Sequence, residues 1–203
     1  MKLSLIGMSN SGKTFWSKKL EEKGFRRFSS DDYIEEELGP ELKKLGYSGI
    51  HGVSAWLGQP YEKRYSKNSK IYLNFEIESL KFFISLIEKS QENAVIDTTG
   101  SLIYTGESIL NRLKQTTKII YFDTPLSIKE EMIRSYIQHP KPVLWVDAFS
   151  QKEGEKAISA LARCYPDLLE YRTTAYKKLA DTTLDYFQVR KGFSIKEFLD
   201  KIK

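Results

Sequence analysis

At 203 residues, with 40% apolar and 29% charged side chains, the chain is long enough to bury a sizeable core and is expected to form one domain, 1–203. Its net charge of +5 suits an anionic ligand, but Lys and Arg are scattered without a run of five. That scatter reads as solubilising surface charge and disfavours nucleic acid as a partner. A single cysteine, Cys164, excludes an internal disulfide and points to a reducing, cytoplasmic setting, and no apolar run has the length of a membrane span or a signal peptide.

Leu3–Ile6 is a short apolar run that reads as a buried parallel strand. It leads into Gly7-Met8-Ser9-Asn10-Ser11-Gly12-Lys13-Thr14, a complete match to the phosphate-loop pattern G-x-x-x-x-G-K-[ST]. A helix from Thr14 to Lys23 follows, with Phe15, Trp16 and Leu20 on one side. Inward backbone N–H groups and an open helix start make a nest for anionic oxygens. Lys13 then brings a point charge to the outer phosphates, and the Thr14 hydroxyl can hold Mg²⁺. The expected nucleotide-binding set is Gly7, Asn10, Ser11, Gly12, Lys13, Thr14 and Phe15.

Phe25–Ser29 is a second strand, after a helix stop at Gly24. A helix over Tyr33–Leu38 follows, for which Ser30 or Asp31 is the candidate cap; a chemical role for Asp31 is the other reading, because this strand end lies beside the phosphate loop. Residues 39–70 are irregular and long for a connection, around one short helix at Ile50–Leu57, and read as either a binding insertion on the substrate side or a small helical cap. Lys63, Arg64, Lys67 and Lys70 make it basic, most simply as a solvated face; His51 has no metal-ligand spacing and no assigned role.

Leu73, Ile77, Leu80, Ile84 and Ile87 place a core-facing helix over Ile71–Lys89. Asn93–Asp97 is the next strand, with Asp97 where a strand-end acid can hold a magnesium shell, and Thr98 to Ser101 form a polar turn on the same edge. Lys118–Asp123 is a fourth strand. A helix entered at Thr124-Pro125 stops near His139-Pro140. Val143–Gly154 reads as mobile, Glu155–Leu179 as a long helix kinked or restarted at Pro166, Thr183–Val189 as a fifth strand, and Ser194–Lys203 as a helix with a capping box. Alternating strands and helices predict an α/β fold, a five-stranded parallel sheet with helices on both faces.

Over nearly its whole length the chain resembles shikimate kinase, of the nucleoside-monophosphate-kinase-like P-loop group. The resemblance runs through the phosphate loop, Phe28 to Glu35, Val95 to Ser101, Lys141-Pro142-Val143-Leu144, and Arg172 to Tyr176 followed by Ala180-Asp181. It implies a three-layer α/β/α P-loop NTPase fold with a lid at about 139–154. It also implies that Asp31 contacts the accepting hydroxyl, that Gly100 presents backbone to the substrate, and that Arg172 clamps a carboxylate. Ser29 stands where the family has its metal-side aspartate, so Asp32 or Asp97 takes that role; Lys141 replaces the lid arginine, and Leu73 an arginine that completes the carboxylate clamp.

These readings together lead to an ATP- and Mg²⁺-dependent kinase that phosphorylates a hydroxyl of a small anionic metabolite, as monomer or homodimer. Lys13, Asp31, Lys141 and Arg134 are the catalytic candidates, Arg134 with an ordinary solvated helix face as its other reading. Asp31, Asp32, Gly100 and Arg172 would bind the acceptor, and Thr14, Asp97 and Asp32 the metal. The alternatives are a nucleoside or nucleotide kinase, with Trp56 and the tyrosines of the insertion stacking on a base, and a non-catalytic NTP-binding regulator.

Overall fold

The computed structural model describes residues 1–190 and 192–203. Its centre is an all-parallel sheet of β1 (Lys2–Gly7), β2 (Arg26–Ser29), β3 (Ala94–Asp97), β4 (Lys118–Asp123) and β5 (Thr182–Asp185), in the order β2-β3-β1-β4-β5. The strands are buried on both faces, and the alternation of side chains divides the core. Leu3, Leu5, Val95, Ile120 and Phe122 face one layer with Trp16, Leu20 and Phe198, while Ile6, Ile96, Ile119 and Tyr121 face a larger one. The smaller layer is α1 (Lys13–Glu21) and α8 (Ile195–Lys201), where Trp16 stacks on Phe198 with ring centroids 4.3 Å apart. The larger layer holds α2 (Ser30–Lys44), α3 (Gly49–Leu57), α4 (Tyr65–Glu88), α5 (Glu107–Thr116), α6 (Leu126–Gln138) and α7 (Ala157–Leu179). The sheet with helices on both faces is therefore as the sequence predicts. Among the described residues, no helix is long and apolar enough to cross a membrane.

Four local expectations are corrected. The helix predicted to end at Leu38 runs through Gly39-Pro40 to Lys44. Leu38 and Leu42 are both buried, one turn apart on the core face, and that burial outweighs the roughly 3 kcal/mol that an interior proline costs a helix. Likewise α7 neither stops nor restarts at Pro166, which lies on its exposed side while Leu161, Tyr165, Leu168 and Leu169 are buried. The helix expected from Ile71 begins at Tyr65, because the buried Tyr65 and Tyr72 extend its inner stripe by two turns; the lysines between them are exposed. Finally, β5 ends at Asp185 rather than Val189, since the Asp185 carboxylate accepts the backbone N–H groups of Phe187 and Gln188 at 2.9 and 3.1 Å and turns the chain.

The segment 143–154, expected to be mobile, is pinned near its start. Trp145 is fully buried against Tyr136, Phe149 and Tyr165. Its backbone N–H donates to the Tyr65 hydroxyl at 2.6 Å, and that hydroxyl donates to the Val143 carbonyl at 3.0 Å. The apolar residues in an otherwise polar stretch are what anchor it.

Candidate active site

The phosphate loop joins β1 to α1 at the carboxyl edge of the sheet. Gly7 and Gly12 have φ of 144° and 108°, and a Cβ on Gly7 would lie 3.0 Å from the Phe122 carbonyl. Asn10 also has positive φ, at 62°. Gly12 begins α1 with no side-chain cap and no acid in the first turn, so its N–H groups and positive dipole end face the cleft. The Lys13 ammonium lies beneath the loop, donating to the Gly7 and Met8 carbonyls at 3.0 and 2.9 Å. Burial holds it below the usual lysine range, against the pull of Asp97 and Asp31. Ser11 Oγ is buried behind the loop without a partner.

The loop forms one wall of a cleft of about 630 Å³. Asn10, Gly12, Lys13, Thr14 and Phe15 line it from the phosphate-loop side; Asp31, Asp32, Gly100, Lys141 and Arg172 line it from the other elements. Gly7, Ser11 and Asp97 lie behind the surface, and Arg134 is exposed on α6 away from the lining. Trp56 is buried, its indole N–H on Glu41 at 2.7 Å, and is not available to stack on a base in the cleft.

Neither Ser30 nor Asp31 caps α2. Ser29 is the cap, its Oγ accepting the Asp32 N–H at 3.2 Å. Asp31 is thereby left to face the cleft from the first turn. Its carboxyl is pushed up to about 6, chiefly by burial and against the opposing Lys13 charge. The Tyr72 phenol from α4 lines the same cleft, and burial, with the charge of Asp31, holds it well above the usual tyrosine range.

Behind this wall, Glu76 is fully buried on α4. Its carboxyl takes the Ser101 hydroxyl at 2.6 Å and the Thr99 hydroxyl, fixing the turn that carries Gly100. Burial lifts its pKa to about 7 despite those hydrogen bonds. Arg172 comes from α7 and lies against the same turn. Its Nη2 donates to the Leu144 carbonyl at 2.6 Å, its guanidinium stacks over Tyr104 at 5.4 Å, and its buried Nε has no partner. Tyr176, one turn further, donates to the Gly100 carbonyl at 2.5 Å.

Three cleft residues escaped the sequence reading. Tyr72 falls within a helix stripe that looks purely structural. Arg190, from the loop after β5, stacks over Tyr186 at 3.9 Å and bonds the Asn10 carbonyl, and no local pattern marks it. Arg27 reaches Ser17, Asp32 and Asp97 from β2. Its one signal is a charged residue inside a short strand. Across the cleft mouth Lys141 donates to Asn10 Oδ1 at 2.6 Å, tying the 139–154 segment to the phosphate loop.

A strand, phosphate loop and helix at the edge of a parallel sheet, with helices on both faces, define an α/β/α P-loop fold. No protein-family model and no curated protein sequence matches the chain. Among solved structures it is similar to the shikimate kinase of Acinetobacter baumannii in complex with shikimate, at TM-score 0.60 and 22% identity, covering 98% of this chain and 87% of that one. It is also similar to the shikimate kinase of Bacteroides thetaiotaomicron, at TM-score 0.56 and 17% identity, covering 98% and 94%. A third, from Aquifex aeolicus, matches at TM-score 0.52 and 18% identity over 92% and 87%. The chain has the shikimate kinase-like P-loop fold.

Proposed function

We propose that the protein transfers the γ-phosphoryl group of ATP to a hydroxyl of a small anionic metabolite. The observation that carries this reading is that Lys13 of the phosphate loop, Asp31 of α2 and Arg172 of α7 share the wall of one cleft. Lys13 neutralises charge that spreads over the transferred group, with the loop N–H groups. Asp31, ionised above about pH 6, orients the accepting hydroxyl and takes its proton. Arg172, with its Nε unpaired, holds an anionic group of the acceptor. Segment 139–154 acts as the lid, with Lys141 over the phosphates; its buried anchor at Val143 to Trp145 excludes water from the acceptor side.

Magnesium fits the residues present: Asp97 Oδ1 is buried without a partner near Lys13, and Thr14 lines the cleft. Thr14 would hold the ion and Asp97 face its shell, and when bound it neutralises charge on the phosphates. The reducing, cytoplasmic setting belongs to the same proposal.

The test is ADP release against a panel of hydroxylated acids, sugars and nucleosides, beside Lys13→Ala. We expect turnover with a hydroxy acid, and a loss of about a hundredfold or more in the variant. Turnover with nucleosides alone would replace the acceptor class; ATP binding without ADP release on any acceptor would make the protein a nucleotide-binding regulator.

A further inference from the structure

Arg27 is a cleft side chain that the proposed mechanism does not use. It leaves β2 toward α1, with only 12% of its side chain exposed. Nε donates to Ser17 Oγ at 2.9 Å, Nη1 to Asp32 Oδ2 at 3.0 Å and Nη2 to Asp97 Oδ2 at 3.4 Å. One guanidinium thus bridges carboxylates from two different elements, α2 and β3, as a divalent cation does. It does so in the wall of the main cleft.

The surroundings sharpen the point. Asp97 is 3% exposed and its second oxygen, Oδ1, has no hydrogen-bond partner. A buried carboxylate with one bare oxygen needs a cation beside it, and Arg27 supplies one at Oδ2. Ser29 stands at the strand tip as a helix cap and contributes no charge. Lys13, Arg27, Lys141, Arg172 and Arg190 line the cleft against only Asp31, Asp32 and Glu35. A free divalent ion entering this cleft therefore meets a surplus of positive charge, whereas one carried by a triphosphate arrives with its own compensation.

We propose that Arg27 is a fixed positive charge of the phosphoryl-transfer site, standing between Asp32 and Asp97 in place of a divalent cation, so that the site takes its metal only with the nucleotide. The inference rests on the ATP reading above. Arg27 is a positioning residue here: it holds two carboxylates and touches neither reacting oxygen.

The experiment measures Mn²⁺ binding by electron paramagnetic resonance, with and without a non-hydrolysable ATP analogue, in the parent chain, Arg27→Gln and Arg27→Lys. Thermal melts followed by circular dichroism show which variants are folded. The parent is expected to take up Mn²⁺ only with the analogue. Arg27→Gln, which removes the charge that Asp32 and Asp97 share, should bind Mn²⁺ without nucleotide at least about tenfold more tightly. Arg27→Lys keeps the charge but cannot pair both carboxylates at once, so a rise of about threefold is expected, and it decides the matter should the glutamine variant not fold. Unchanged nucleotide-free Mn²⁺ affinity in the folded variants would overturn the role of Arg27. Equal Mn²⁺ uptake by the parent with and without the analogue would do the same. A parent that takes up no Mn²⁺ with the analogue, while Lys13→Ala behaves identically, would remove the ATP reading itself.

Discussion

Glu76 is an acid with no cationic hydrogen-bond partner in a fully buried position, and the consequence for stability can be worked through. Its carboxyl is bonded by two hydroxyls, those of Thr99 and Ser101. Burial outweighs them and raises the pKa from its ordinary 4.5 to about 7. The folded chain therefore binds this proton more tightly than the unfolded chain does. The associated stability is complete below pH 4.5 and is lost as pH rises toward 7. At about 1.4 kcal/mol for each pH unit, the loss between those values is about 3 kcal/mol. Glu76→Gln keeps the shape, and its amide can still meet both hydroxyls, but it does not titrate. Urea unfolding at pH 5, 6, 7 and 8 should show the variant gaining on the parent by about 2.5 kcal/mol across the series, most of it below pH 7. Taking the difference between the two proteins removes most of the parallel contribution of Asp31, which is also raised by burial and whose charge adds to the Glu76 shift. A difference that stays flat with pH would refute the argument, because Glu76 would then be ionised in both states or protonated in both.

Activity should show its own acid limb. If Asp31 accepts the proton, the acceptor kcat/KM falls about tenfold per pH unit below about 6, and Asp31→Asn keeps ATP binding while losing transfer; a limb centred near pH 4 would remove Asp31 as the base. Ser29→Ala removes the cap of α2 and should cost about 1 kcal/mol in urea unfolding, with a fall in kcat because Asp31 sits in the uncapped turn. Gly100→Ala would put a Cβ 3.2 Å from Arg172 Nη1, and the guanidinium is held by the Leu144 carbonyl and cannot swing away freely. Steady-state kinetics should show the acceptor KM rising about tenfold with the ATP KM unchanged.

What could be read from the sequence follows from how local each signal is. The phosphate loop is legible because eight consecutive residues carry both its geometry and its chemistry. The strands are legible because burial on both faces leaves near-continuous apolar runs such as Ile119 to Phe122. Helix ends were misread at Leu38 and Ile71, and a break was expected at Pro166. In each case the local breaker or polar residue was overruled by partners distant in sequence: the core under Leu42, the Tyr65 hydroxyl on Trp145, the apolar face of α7. Trp145 itself sits among polar neighbours, so only the aromatic cluster that receives it shows the segment to be anchored.

The candidate site divides in the same way. Its nucleotide half is a contiguous motif, whereas the acceptor half is assembled from the tips of β2 and β3, two helix faces and the 139–154 segment. Order along the chain could suggest Asp31, Gly100 and Arg172 through resemblance, but not Tyr72 or Arg27, whose importance lies wholly in what they touch. Leu73 stands where the resemblance leads one to expect a second arginine, and among the described residues Arg172 is the cation placed against the Gly100 turn. On the proposed reading, an acceptor with one anionic group suits this wall better than one that needs two arginines. The surrounding Ile50, Val143, Leu144 and Leu169 leave the rest of its surface to apolar contact. Acceptor specificity should accordingly be set by those four side chains, which no phosphate-loop motif reports.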